Sequence, residues 1–171
     1  MSTIMFVSSL LLLAFAAAGL AQAPEGYRKV YITSKVDTRF VIVPQERTSG
    51  STTIVQTIAN TPEQQWYLKD GDSKIMLVDS TLCLDGGEQS NWRDMGKVYV
   101  NECSDTAVSQ NWIVMADGRI ALEPSDSTQC VDLEYMRAVE NNPVGLFSCA
   151  GLGNIGAADA GINWPLVNVT D

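Results

Sequence analysis

The sequence predicts an all-β protein built from three pseudo-symmetric repeats, and three observations carry that prediction. An ordered motif occurs twice. From Trp66 the chain runs through Asp70-Gly71, Ile75-x-Leu77, Asp79-Ser80-Thr81 and Cys83-Leu84-Asp85; from Trp112 it runs through Asp117-Gly118, Ile120-x-Leu122, Asp126-Ser127-Thr128 and Cys130-Val131-Asp132. The Trp-to-Cys intervals are 17 and 18 residues. Tryptophans then recur at intervals of 46 and 52, in Gln64-Gln65-Trp66, Gln110-Asn111-Trp112 and Ile162-Asn163-Trp164, so three such units fill the chain after its N-terminal segment. Finally, no later stretch sustains the three-to-four-residue apolar period of an amphipathic helix, and helix content is expected near zero.

Residues 1–23 contain no Asp, Glu, Lys or Arg, and Leu10–Leu13 leads into an Ala-rich run that ends in small residues. That is the form of a secretory signal peptide. A membrane anchor is the rival, since Ile4–Ala23 approaches the roughly 20 residues that span a bilayer. The Ala/Gly-rich end favours cleavage, after Ala21 or Ala23. The expected domain is 24–171, secreted and extracellular, with no membrane insertion once the leader is removed.

Strands are expected at Lys29–Ile32, Arg39–Val43, Thr53–Ile58, Gly96–Val100, Trp112–Met115 and Trp164–Val169. Each is rich in β-branched or aromatic residues, and Asp-Gly, Gly-Gly or Pro-containing turns bound them. Trp66, Trp112 and Trp164 are expected in the core, one per unit.

A net charge of −9 argues against nucleic acid and anionic membranes as partners, since both demand clustered Lys/Arg. With no histidine, Ser-His-Asp and Cys-His nucleophiles and His-containing metal sites are all excluded. An enzyme would have to use carboxylates, Asp85 with Glu88 or Asp132 with Glu134. Acids so close in sequence are usually solvated loops, so no enzymatic activity, cofactor or metal is expected. The four cysteines, spaced 20, 27 and 19 apart without CxxC, make a poor zinc site and should be paired in an exported chain.

The Gln-x-Trp pattern, with Cys83-Leu84-Asp85 and Cys130-Val131-Asp132 opening the later units, resembles the ricin B-type lectin domain over residues 27 to 169. Repeat spacing alone also admits a three-bladed or prism-like arrangement. The resemblance implies a β-trefoil, six barrel strands closed by three hairpins, and a lectin-like function with galactose-type ligands. The alternative keeps the trefoil as a protease inhibitor or protein-binding scaffold that has lost sugar binding. Pseudo-symmetry pairs Cys83 with Cys103 and Cys130 with Cys149.

In that family the Asp of the Cys-hydrophobe-Asp motif accepts two sugar hydroxyls, which makes Asp85 and Asp132 the candidate carbohydrate-binding carboxylates. The family's aromatic platform lies two residues before the unit's second Cys. That position is Phe147 in the third unit and Asn101 in the second, where Trp92 or Tyr99 would have to substitute. Gln110, like Gln64, is expected either to satisfy backbone groups or to reach the pocket floor. The family's Asn three residues before each Trp is replaced by Glu63, Ser109 and Gly161, and the first unit lacks the Cys-x-Asp motif altogether. The pockets are therefore expected to be partly degenerate, with the third unit best retained. The insertion Ala150–Gly161 is expected as a surface loop bordering the Phe147 pocket. Asn168-Val169-Thr170 is a glycosylation sequon.

Overall fold

The computed structural model describes residues 23–170. The expected leader, 1–23, lies outside them apart from Ala23. The first unit contributes strands β1 (Arg28–Ile32), β2 (Phe40–Pro44), β3 (Ser51–Thr57) and β4 (Trp66–Leu68). The second contributes β5 (Gly71–Ser73), β6 (Met76–Leu77), β7 (Leu82–Asp85), β8 (Tyr99–Glu102) and β9 (Trp112–Val114). The third contributes β10 (Ile120–Leu122), β11 (Gln129–Leu133), β12 (Pro143–Ser148) and β13 (Leu166–Asn168). Helical structure among the described residues is limited to three-residue 3-10 turns.

The pairings define a β-trefoil. In the barrel wall β1 pairs with both β4 and β13, β4 with β6, and β9 with β5 and β10, all antiparallel. Three hairpins, β2–β3, β7–β8 and β11–β12, form the cap. They join one another through β3–β8, β3–β12 and a Lys97–Gly145 bridge.

The repeat is most exact at the tryptophans. All three are fully buried, and each indole N–H donates to a backbone carbonyl at 2.9 Å: Trp66 to Ile42, Trp112 to Leu84, Trp164 to Val131. A buried indole must place its one donor, and here it does so on the first strand of its unit's hairpin. These bonds make Ile42, Leu84 and Val131 equivalent, and with them the following residues Val43, Asp85 and Asp132. Both disulfides take the pairing the repeat predicts, Cys83–Cys103 and Cys130–Cys149, each tying the two arms of one hairpin. By the chain-entropy model each closed loop contributes about 3 kcal/mol.

Several strand boundaries differ from expectation. The strand expected at Gly96–Val100 lies at Tyr99–Glu102, because the Asn91 side chain bonds both the N–H and the carbonyl of Lys97, which keeps only an isolated bridge to Gly145. Trp164–Val169 shortens to Leu166–Asn168. Pro165 has no N–H to donate, and its carbonyl accepts from the N–H and hydroxyl of Thr33. The Asp70-Gly71 turn continues into β5, which lies along β9. Asn168 is exposed on β13, opposite Val30.

Candidate functional site

The three units bring different chemistry to the same place, the end of the first hairpin strand. In the first unit Val43 packs with Tyr31, Val41 and Ile54 and offers no acceptor.

In the second unit Asp85 is 4% exposed and both its oxygens are bonded. The Gly87 N–H donates to one at 2.8 Å and the Gln110 amide to the other at 3.1 Å. Gln110 itself is buried and fully engaged, also donating to the Glu102 carbonyl (2.9 Å) and accepting from the Ser104 N–H (2.9 Å). Gln64 repeats the backbone part of this role with Ala59 and Thr57. The expectation that Gln110 reaches a ligand is therefore corrected: its amide completes the turn and holds Asp85. A cavity of about 400 Å³ does lie beside the second hairpin, lined by Gly87, Glu88, Tyr99 and Asn101 among others, but Asp85 does not line it. Asn101 is tied through its side-chain carbonyl to the Ser49 hydroxyl and the Gly50 N–H of the neighbouring unit. Trp92 donates its indole N–H to Gly87 and packs against the core, so of the two substitutes only Tyr99 faces the cavity.

The third unit has Ile162 where the second has Gln110. Ile162 is fully buried against Ala121, Cys130 and Cys149. The local turn is completed instead by the Gly151 N–H bonding the Ser148 carbonyl. Asp132 thus loses the amide that its counterpart has. It is 8% exposed and accepts no hydrogen bond from any described residue. Its carboxyl lines a cavity of about 280 Å³ together with Phe147, Met95, Leu133, Tyr135, Met136, Leu152 and Asp159. The two residues expected to form one site are brought together.

Asp132 is titratable in an unusual range. Burial, followed by the nearby charges of Asp159, Glu134 and Asp94, pushes its carboxyl up to about 7. Asp159 is equally buried but has partners: one oxygen accepts from Gly161 N–H at 2.8 Å and the other from Leu152 N–H at 3.2 Å.

The insertion is more than a surface loop. Leu152 and Asp159 both line the cavity, and the Asn163 amide holds the loop by donating to the carbonyls of Gly156, Ala157 and Asp159. Gly161, in the place of the family's Asn, has no room for a side chain: an added Cβ would lie 2.9 Å from both Asp132 Oδ1 and Met136 Cγ. Tyr135 and Met136 have consecutive positive φ values of 57° and 50°. Such backbone costs about 1–3 kcal/mol per residue and clusters at functional sites.

Sequence reasoning missed Met95, Tyr135, Met136, Leu152 and Asp159. Tyr135-Met136, an apolar pair in a polar turn three residues past Asp132, was a readable sign. Met95 comes from the second unit, and nothing local pointed to it. A wider cavity of about 760 Å³, between Arg28, Asp117 and Trp164, contains none of the predicted site residues.

Comparison with known proteins agrees with this architecture. A family model described as ricin-type beta-trefoil lectin domain-like matches residues 62–147, about half of the chain. No curated protein matches the chain in sequence. A designed three-fold symmetric protein, ThreeFoil, is similar with a TM-score of 0.66 and 21% identity, over 85% of this chain and 100% of that one. The C-half of the earthworm R-type lectin, solved in complex with GalNAc, gives 0.62 and 16% identity, over 83% of this chain and 99% of that one. A non-toxic homologue of type II RIPs from Momordica charantia (bitter gourd), in complex with α-methyl-D-galactoside, gives 0.61 and 16%, over 83% of this chain and 48% of that one. At these identities the structural likenesses speak for the fold. Together with the family match across the second and third units, they lead to one conclusion: the chain belongs to the ricin-type β-trefoil lectin domain-like family.

Proposed function

We propose that this protein binds carbohydrate without catalysis, outside the cell, through the pocket of its third unit. The observation that carries the reading is the meeting of Asp132 and Phe147 in one open cavity, with both Asp132 oxygens uncommitted. A carboxylate accepts from two adjacent hydroxyls in one plane, and bonds to an ionised acceptor are stronger than neutral ones. The half-buried Phe147 ring supplies an apolar face for the sugar's C–H surface. The second unit is a reduced site, since Asp85 is already bonded to Gln110 and Gly87.

A carboxyl raised to about 7 also suits a general acid, but glycoside hydrolysis needs a second free carboxylate. Asp159 has both oxygens bonded to backbone N–H groups, which supports the non-catalytic reading. Secretion is supported by the leader-like residues 1–23 and by two disulfides, which persist in oxidising compartments.

The test is a glycan array with wild type and Asp132→Asn. Hits lost in the variant support the reading; hits unchanged in it, or none at all, reject it. A second reading, a protein-binding trefoil such as a protease inhibitor, is favoured by the exposure of Met95, Tyr135, Met136 and Leu152 around the cavity. Inhibition in a protease panel, without glycan hits, selects it.

A further inference from the structure

We propose that the third-unit pocket is selective for an amino sugar with a free ammonium group, over the neutral and N-acetylated forms of the same sugar. This rests on the reading of the pocket as a carbohydrate site.

The lining decides the donor–acceptor balance. Its polar groups are the carboxylates of Asp132 and Asp159 and the hydroxyl of Tyr135; Met95, Leu133, Met136, Phe147 and Leu152 are apolar. A sugar hydroxyl both donates and accepts, and here the accepting half finds almost no donor. An ammonium carries three donors and no acceptor, which matches such a wall. Asp132 supplies the independent sign of a missing ligand. It is more than nine-tenths buried, it faces the cavity, and no described residue donates to it. A buried carboxylate without a partner is costly, and proteins usually pair or hydrogen-bond it. In the second unit the partner is Gln110; in the third, Ile162 leaves the position to a ligand.

Charge points the same way. The charged groups that act most on Asp132 are Asp159, Glu134 and Asp94, all acids. Arg119, whose guanidinium reaches the base of the insertion, is held by Asp117 and the Cys149 carbonyl. The pocket therefore concentrates negative charge in an apolar surround, where attraction to a cation is least screened. Phe147 and Tyr135 add aromatic surface of the kind that receives cations. An acetyl group on the nitrogen removes the charge and two of the three donors.

The experiment is calorimetric titration, at about pH 7 where sugar amines are still largely protonated and about half of Asp132 is ionised, of the methyl glycosides of galactosamine and glucosamine. Each is compared with its N-acetylated form and its amine-free parent. Wild type should bind one of the free amines about tenfold or more tighter than both of its neutral counterparts. Lowering the pH to about 5, which protonates Asp132 and leaves the amines charged, should reduce that preference, and Asp132→Asn should abolish it. The pH series uses wild type alone and does not depend on how the variant folds. If neutral and N-acetylated sugars bind as tightly as the amines, and Asp132→Asn weakens all of them, the ammonium inference falls while the carbohydrate pocket stands. If the preference survives in Asp132→Asn, the site is misplaced and the inference is overturned. If none of the six glycosides binds, the ammonium inference falls, while the carbohydrate reading stands or falls on the glycan array.

Discussion

Asp85 and Asp132 hold equivalent positions near the ends of equivalent strands, follow equivalent disulfide-bonded cysteines and are almost equally buried, yet they are in opposite states. Asp85 accepts from Gly87 and Gln110 and belongs to the scaffold. Asp132 accepts from no described residue, its ionisation is suppressed by burial and neighbouring acids, and it faces a cavity. The difference traces to one position, Gln110 in the second unit and Ile162 in the third, and to the twelve-residue insertion Ala150–Gly161 that walls the third pocket. A motif carboxylate is thus either structure or site according to whether its own unit supplies its donors.

The largest expected effect comes from titration. Because the Asp132 carboxyl is raised in the folded protein, the native state keeps a proton that the unfolded chain has lost between the ordinary Asp range, near about 4, and about 7. This group therefore lowers stability as pH rises through that window, with a full span on the order of 4 kcal/mol. Asp132→Asn removes the titration. Urea unfolding at pH 5 and pH 8 should find the ligand-free variant gaining on wild type at the higher pH; a difference independent of pH would put Asp132 among normally titrating acids.

Removing the donor from the second unit should be nearly as large. Gln110→Ala leaves Asp85, the Glu102 carbonyl and the Ser104 N–H without their amide, and should cost about 3 kcal/mol of stability. A cost below about 1 kcal/mol would mean that water replaces the amide and that the contrast between the units is weaker than the geometry implies.

Binding is the next test. Against whichever glycan an array returns, Asp132→Asn should lose about 1.5–3 kcal/mol, the range for bonds to a charged acceptor. Phe147→Ala should lose about as much through contact area. The smallest effect belongs to Asp85→Asn, which should leave that affinity unchanged while costing about 1 kcal/mol of stability, because an Asn amide sets a donor against Gln110. Loss of binding on Asp85→Asn with Asp132→Asn silent would reverse the assignment of the units.

How much of this was legible beforehand varies with the range of the interaction. The Trp spacing, the duplicated Cys-x-Asp motif and the lack of helical periodicity sufficed for a three-unit β fold, three buried indoles and the disulfide pairing. These features repeat because each unit meets the same burial problem, and burial leaves a periodic record in the chain. The coincidence of Asp132 with Phe147 was readable for a related reason: the family's motif places both on one hairpin, where β11 and β12 pair. Strand ends were less legible, as at Gly96–Val100, where the Asn91 side chain takes over the bonds of Lys97.

The state of each carboxylate was decided only in three dimensions. Gln110 reaches Asp85 across 25 residues, Asn101 is tied to the neighbouring unit's Gly50, and Met95 of the second unit lines the third unit's cavity. The insertion became a pocket wall because Asn163 gathers its carbonyls and Asp159 bonds its own backbone. Residue type and spacing by themselves determined where a carboxylate would stand. Whether its lone pairs were free depended on which donors the folded chain brought within hydrogen-bonding distance, because that bond depends on separation in space and leaves no period in the sequence.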